Sequence, residues 1–263
     1  MKLNILRADP AGNITVYVLD EVDRAIRAEV AAKIMEIEEL KCEQVGFVYP
    51  TQEGGDGRME MMGGEFCGNA TRAFGLLTAK NMGGAEQVRI ETSGCDHIVT
   101  VDTDLNAGTS RAEMPTPVSV TDVKVDEVEG VLVHLGGIAH LIVDGVEPSE
   151  DFFARAEEQV LSALKPIDAY GVMFMDNAKG TMTPLVKVVE PNTLIWEGSC
   201  GSGSLSAAVA ESRNAPDGEF AKDIVQPAGI VRAGVMRENG VITAAFIGGP
   251  VSLGEPFEIE IDM

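Results

Sequence analysis

One pattern constrains this chain more than any other: a Cys-Gly-polar turn leading into a helix of small residues, and it occurs twice. Phe66-Cys67-Gly68-Asn69 runs into a stripe of Ala70, Ala73, Phe74 and Leu77, and Ser199-Cys200-Gly201-Ser202 runs into Leu205, Ala208 and Val209. Both stretches are nearly free of charge, as a helix enclosed by sheet should be. The copies lie almost half a chain length apart, the pattern of a duplicated unit. No low-complexity linker separates them, and Met114-Pro115-Thr116-Pro117 is the expected boundary. A first half is therefore expected over residues 1–114, completed by a C-terminal strand over 251–263, and a second half over 115–250.

Short apolar runs broken by glycine, proline, asparagine and aspartate predict strands over 14–19, 44–49, 87–91, 98–102, 130–135 and 141–144. Further strands are expected over 172–175, 185–189, 230–236, 241–247 and 257–261. Two more helices complete the reading. Val22, Ala25, Ile26, Val30, Ile34 and Ile37 recur at helical spacing over 21–40, with Asp20 placed to cap the first turn. Phe152, Phe153, Ala156, Val160 and Leu164 do the same over 152–164.

The 263 residues suffice for one large or two ordinary domains, and 45% apolar with 24% charged residues is a globular composition. A net charge of −22 argues against nucleic acid or an anionic membrane as partner. It also means that an anionic substrate must be drawn in by local dipoles, not by the overall field. No apolar run reaches the roughly 18–20 residues of a membrane-spanning helix, and Met1–Leu6 is too short and too weakly charged for a signal peptide. A cytoplasmic location is expected. There, Cys42, Cys67, Cys95 and Cys200 stay reduced. No Cys-x-x-Cys or Cys/His pair stands at zinc-ligand spacing, so no metal is expected. Cys42 and Cys95 read as small core residues.

A cysteine at a helix start sees unpaired N–H groups and the positive end of the helix dipole. Its thiolate is stabilised there, its pKa is expected to fall towards neutrality, and it becomes a usable base. The adjacent glycine lets a ligand approach the backbone, and the free N–H groups of Gly68-Asn69 and Gly201-Ser202 can cradle a carboxylate. Two such turns facing each other suit a racemase, which removes a proton from one face of a carbon and returns one to the other. Helix dipoles and N–H donors aimed at the carboxylate would stabilise carbanion character without an electron-sink cofactor. No phosphate-binding glycine motif in a strand–helix unit is present, and no cofactor is expected.

Phe66-Cys67-Gly68-Asn69-Ala70-Thr71-Arg72 and Ser199-Cys200-Gly201-Ser202-Gly203 resemble the two signature motifs of the diaminopimelate epimerase superfamily. Gly12-Asn13, Glu43-Gln44-Val45, Gly137 to His140 and Gly248-Gly249-Pro250 fall at its other landmarks. The resemblance implies an α+β fold of two pseudo-symmetric halves, each a mixed, mainly antiparallel sheet wrapped round a central helix, with the site in the cleft between. It also implies cofactor-independent chemistry on a small amino acid, and a homodimer. Carried over by position, Cys67 and Cys200 are the catalytic pair, assisted by Glu43 and His140. Gly68, Asn69, Gly201 and Ser202 hold the α-carboxylate, while Asn13, Gln44 and Glu197 line the substrate.

Departures narrow the substrate. The second residue of the Gly-Asn-Pro-His segment is Ile138, a later asparagine position is Gly171, and the Trp-Glu-Arg loop has shrunk to Trp196-Glu197-Gly198-Ser199 without arginine. A distal ammonium-carboxylate head would lack its partners. Lys41-Cys42-Glu43-Gln44-Val45-Gly46-Phe47, Gly64-Glu65-Phe66-Cys67 and Leu194-Ile195-Trp196-Glu197 resemble the histidine racemase branch instead. Glu43 could bond an imidazole there, or be a solvated strand-end carboxylate. Diaminopimelate epimerase, a proline racemase-like or PhzF-like isomerase, and a non-catalytic thiol or ligand-binding protein of the same fold are the alternatives.

Overall fold

The computed structural model describes residues 1–164, 166–190 and 192–263. Contacts divide the chain into two compact units, Met1–Glu113 with Gly248–Met263, and Met114–Ile247. Along the first run lie β1 (Lys2–Asp9), β2 (Thr15–Val18), α1 (Arg27–Met35), β3 (Gln44–Tyr49), β4 (Gly57–Met61), α2 (Gly68–Asn81), β5 (Gln87–Thr92), β6 (Val99–Asp104) and β7 (Thr109–Met114). The next run holds β8 (Ser119–Val125), β9 (Val128–His134), β10 (Ile138–Asp144), α3 (Glu150–Gln159), β11 (Ala169–Asp176), β12 (Thr181–Val188) and β13 (Thr193–Trp196). It continues through α4 (Gly201–Ser212), β14 (Gly218–Gln226), β15 (Gly229–Glu238) and β16 (Val241–Pro250), and β17 (Ser252–Leu253) and β18 (Phe257–Glu260) close the chain. The result is a mixed α/β fold with extensive sheet and four α-helices among the described residues.

In the first unit β1 pairs antiparallel with β2, β17 and β18, so the two chain termini share one sheet. β2–β3 and β4–β5 are parallel; β3–β4, β5–β6 and β6–β7 are antiparallel. In the second unit β10–β11 is parallel, while β8–β9, β9–β10, β11–β12, β12–β13 and β14–β15 are antiparallel.

Strands pack against α2 and α4, and burial of both helices explains their composition. Every residue of α2 from Gly68 to Ala79 is buried, against β4, β5 and β6. Ala70, Ala73, Phe74 and Leu77 join Met59, Met61, Ile90 and Val101 in one apolar cluster. In α4, Gly203 to Ala210 are buried, with β14 and β15 among the packing partners. Side chains larger than these would not fit: a Cβ on Gly203 would stand 2.2 Å from the Met173 sulfur. Full burial of each large apolar side chain here contributes roughly 1.5–3 kcal/mol.

The expected helix over 21–40 is shorter than its apolar spacing implies. Only Arg27–Met35 is α-helical, followed by a 3-10 turn at Glu38–Leu40. Asp20 does not cap it; its carboxylate accepts the Asn4 backbone N–H at 2.6 Å instead, and Ile26 stands uncapped at the helix start. Asp23 closes a local turn on the Ala25 N–H at 2.9 Å, and Arg24 and Arg27 reach across to Glu60 on β4. Those tertiary bonds outcompete helical conformations over 21–26. The second expected helix likewise ends early: α3 starts on a Ser149 cap and stops at Gln159, with a 3-10 turn over Leu161–Leu164. Strands β1, β4, β7, β8, β13 and β14 also lie outside the expected set. β8 and β14 are rich in polar, part-exposed residues, so their apolar signal is weak, while β13 is apolar but only four residues long.

Candidate functional site

Cys67 is the N-cap of α2, in extended conformation, and its sulfur accepts the Ala70 N–H at 3.5 Å. Thr71 Oγ1 donates to the Cys67 carbonyl at 2.8 Å, tightening the first turn. Gly68 and Asn69 follow at the first two helical positions, whose N–H groups have no acceptor within the helix. Two strands bring polar side chains to this end. Gln44, at the start of β3, donates to Asn13 Oδ1 and Thr15 Oγ1, both at 2.8 Å. Asn13 Oδ1 also faces the Cys67 thiol at 3.9 Å, and Asn13 Nδ2 donates to Glu43 at 2.9 Å. Glu43, Asn13, Gln44 and Cys67 thus form one hydrogen-bonded chain.

The same local geometry recurs at Cys200 in the second unit. It caps α4 in extended conformation, its sulfur accepts the Gly203 N–H at 3.3 Å, and Ser204 Oγ donates to its carbonyl at 2.7 Å. Gly201 and Ser202 occupy the first two helical positions. Ser202 Oγ lies 3.6 Å from the Cys200 sulfur and 2.8 Å from His140 Nε2. His140 arrives on β10, wholly buried, and its Nδ1 has no partner among the described residues. Gly171 stands opposite it on β11, and a Cβ there would come within 3.0 Å of that nitrogen. The glycine therefore makes room for the imidazole.

Electrostatics depart from expectation. Burial pushes the Cys67 thiol up, with Glu65 adding to it, while the Ala70 and Asn69 N–H groups and Gln44 pull the other way. Burial pushes Cys200 up much further, and the Glu197 carboxylate adds to this by charge and by hydrogen bond. The anticipated fall towards neutrality is not found at either cysteine. Packing against apolar neighbours removes more thiolate solvation than two or three helix-end N–H groups restore. His140 is driven down to about 3 by burial, so it is neutral at physiological pH and meets Ser202 as a hydrogen-bonding group, not a charge. Glu43 stands at the rim with solvent on one side. The protein packed on the other side raises its pKa, against the pull of the Asn13 bond.

Three supporting groups were not anticipated. Gln226 at the end of β14 accepts the Cys200 N–H at 2.7 Å and donates to Ser204 Oγ at 2.9 Å, clamping the turn. Gly94, at φ +69°, lies so close that a Cβ would meet the Phe66 nitrogen at 2.2 Å, which fixes the segment entering Cys67. Arg72, although counted in the motif, is fully buried: Nε donates to Asn69 Oδ1 and a terminal nitrogen to the carbonyls of Gly249 and Pro250, all at 3.1 Å. A glutamine at a strand end or a glycine in a loop carries no signal that singles it out.

Cys42 and Cys95 are half-buried and flank apolar clusters without joining their centres. Against the expectation of no Cys/His pairing, Cys95, Asp96 and His97 bring their donor atoms within 4.8 Å of one another. The cluster is local and exposed on the Asp96–His97 side, where Asp96 already accepts His97 Nδ1 at 2.9 Å; we assign it no role.

The fold is shared with isomerase-type proteins. A phenazine biosynthesis protein of the PhzF family from Bacillus anthracis superposes with a TM-score of 0.70 at 15% identity, covering 99% of this chain and 100% of that one. A probable proline racemase from Agrobacterium radiobacter K84 gives 0.63 at 11%, covering 99% and 93%. These neighbours define the class: the mixed α/β architecture of PhzF-like and proline racemase-like proteins. Sequence narrows it. Residues 2–255 match the family model for the histidine racemase CntK N-terminal domain. A histidine racemase of Fusobacterium nucleatum subsp. nucleatum is 34% identical over 213 residues, covering 77% of this chain and 78% of that protein. This chain belongs to the histidine racemase family.

Proposed function

We propose that this chain racemises histidine without a cofactor, one of Cys67 and Cys200 removing the α-proton as thiolate while the other supplies a proton as thiol. The observation that carries the reading is the repeated geometry: each cysteine caps a buried helix, holds the third N–H of that helix on its sulfur, and has its own polar group beside it. Racemisation needs an acid and a base that exchange roles with direction, and two thiols in the same capping geometry suit that need. Gly68, Asn69, Gly201 and Ser202 offer N–H groups to the α-carboxylate and its developing negative charge. Glu43 acts through Asn13 near Cys67, and His140 through Ser202 near Cys200. Glu197 accepts a hydrogen bond from the Cys200 thiol, and Gln44 orients Asn13.

The choice of histidine is supported by the family match and by what positions 138 and 171 lack. Ile138 and Gly171 offer no polar side chain to a distal charged head, which would then be left unpaired at roughly 1–3 kcal/mol per group. The two units read as halves of one duplicated design with pseudo-symmetric helices at their centres. A homodimer, a cytoplasmic location and indifference to nucleic acid belong to the same proposal. Competition between histidine, diaminopimelate, proline and glutamate tests it. Histidine is expected to lead by at least about ten-fold in kcat/KM, or 1.4 kcal/mol. Diaminopimelate as best substrate would return the chain to the epimerase reading.

A further inference from the structure

The Cys200 turn is closed by a ring of buried hydrogen bonds that passes through one side chain from outside the motif. Gln226, the last residue of β14 and 5% exposed, accepts the Cys200 N–H on Oε1 at 2.7 Å. Its Nε2 donates to Ser204 Oγ at 2.9 Å. Ser204, fully buried on α4, gives its hydroxyl hydrogen to the Cys200 carbonyl at 2.7 Å. A serine hydroxyl has a single hydrogen, so with that hydrogen on the carbonyl its oxygen must accept, and the carboxamide N–H is what it accepts. Both backbone polar groups of Cys200 are thus tied to one carboxamide, directly on one side and through Ser204 on the other. With φ held at −113° and ψ at 110°, χ1 is the torsion left to place the sulfur, and the Gly203 N–H at 3.3 Å restrains it. The ring needs a donor and an acceptor on one side chain; ionised glutamate only accepts, and methionine supplies no donor and at best a weak acceptor.

The Cys67 turn is braced differently. Thr71 Oγ1 donates to the Cys67 carbonyl at 2.8 Å, and behind it Thr92 Oγ1 stands 3.4 Å from the Thr71 hydroxyl. Thr92 and Gln226 hold the same place, each ending the strand that follows its cysteine helix. Ser93 Oγ accepts the Met61 N–H and donates to the Glu65 carbonyl, both at 2.8 Å, so it holds the chain before Cys67. We propose that Gln226 is a positioning residue that acts through Ser204 and the Cys200 backbone to aim the Cys200 sulfur at the substrate, and that it serves this cysteine alone. Misplacing a reacting group by about 1 Å can cost on the order of 10²-fold in rate. A Cys200 turn released at both its N–H and its C=O therefore loses rate before it loses substrate, whose carboxylate still meets the N–H groups of Gly201 and Ser202.

This inference rests on the two-thiol reading, and one arm of its test needs no substrate. In Gln226→Met and, separately, in Ser204→Ala, iodoacetamide labelling of the intact protein followed by peptide mass mapping reports each cysteine. The Cys200 rate is expected to rise about three-fold or more as its turn loosens, with Cys67 unchanged. With histidine as substrate, kcat should fall roughly ten- to a hundred-fold while KM moves by less than about three-fold. The double variant should fall no more than about two-fold below the slower single one, because both changes open one ring. Equal rises at Cys67 and Cys200 would reduce Gln226 to general packing and overturn the proposal, as would an unchanged Cys200 rate or a wild-type kcat in a folded variant. Alanine at 204 is a strong helix former, so Ser204→Ala decides if the methionine variant fails to fold. A wild type that turns over no histidine would fault the choice of substrate, and the labelling arm would still decide the role of Gln226.

Discussion

At the residue scale the proposed chemistry rests on two sulfurs and the side chains that touch them. Cys67→Ser and Cys200→Ser should each lower turnover on the order of 10³-fold or more, because a hydroxyl is too weak an acid and base for the task. Circular dichroism should show the fold intact, since serine can accept the same Ala70 or Gly203 N–H. Cys42→Ser and Cys95→Ser should stay within a few-fold of wild type; a dead Cys95 variant would mean that the cysteine beside His97 carries a role. Glu43→Gln keeps the Asn13 bond but removes the charge, and kcat should fall about ten-fold. An unchanged kcat would leave Glu43 as a solvated strand-end carboxylate.

Elements α2 and α4 are where sequence and structure speak most plainly together. A Cys-Gly turn opening a helix with no large polar face has few foldable interpretations, and both helices are buried on nearly all sides. The charge inside α2 was harder to read. Arg72 sits in the motif, yet its acceptors at Gly249 and Pro250 come from the far end of the chain, where no local pattern links them. The same holds for α1, whose apolar spacing continues towards Glu21 while Arg24 and Arg27 are drawn to Glu60 on another element. Strand β13 is an apolar run, Thr193–Trp196, but its four residues show no alternation of apolar and polar positions. Helix packing gives a direct prediction at Gly203. Alanine there must displace Met173 and crowd the Cys200 sulfur, 3.1 Å from the new Cβ. A loss of about 1–3 kcal/mol is expected, visible as a lower melting temperature, together with a reduced kcat. Wild-type stability and rate in Gly203→Ala would show that α4 has slack which the packing does not suggest.

For the whole molecule, pH links the buried histidine to stability. The folded pKa of His140 is about 3, below its ordinary 6.5. The unfolded chain therefore binds the extra proton first as pH falls, and stability is full above about 6.5 and lost towards 3. His140→Gln should flatten the urea-unfolding free energy across that window relative to wild type. Equal slopes for both proteins would mean that His140 is not buried neutral in solution.

The central claim is that histidine exchanges its α-proton between two thiols with no added cofactor. Purified protein, treated with chelator and hydroxylamine, should be given L-histidine in D₂O, with deuterium at the α-carbon read in each enantiomer at early times. The account predicts D-histidine carrying solvent deuterium while the remaining L-histidine stays largely protonated, because different groups remove and return the proton. Early deuterium in both enantiomers to the same extent would contradict a two-base reaction, and no exchange until pyridoxal phosphate or metal is restored would contradict the absence of a cofactor.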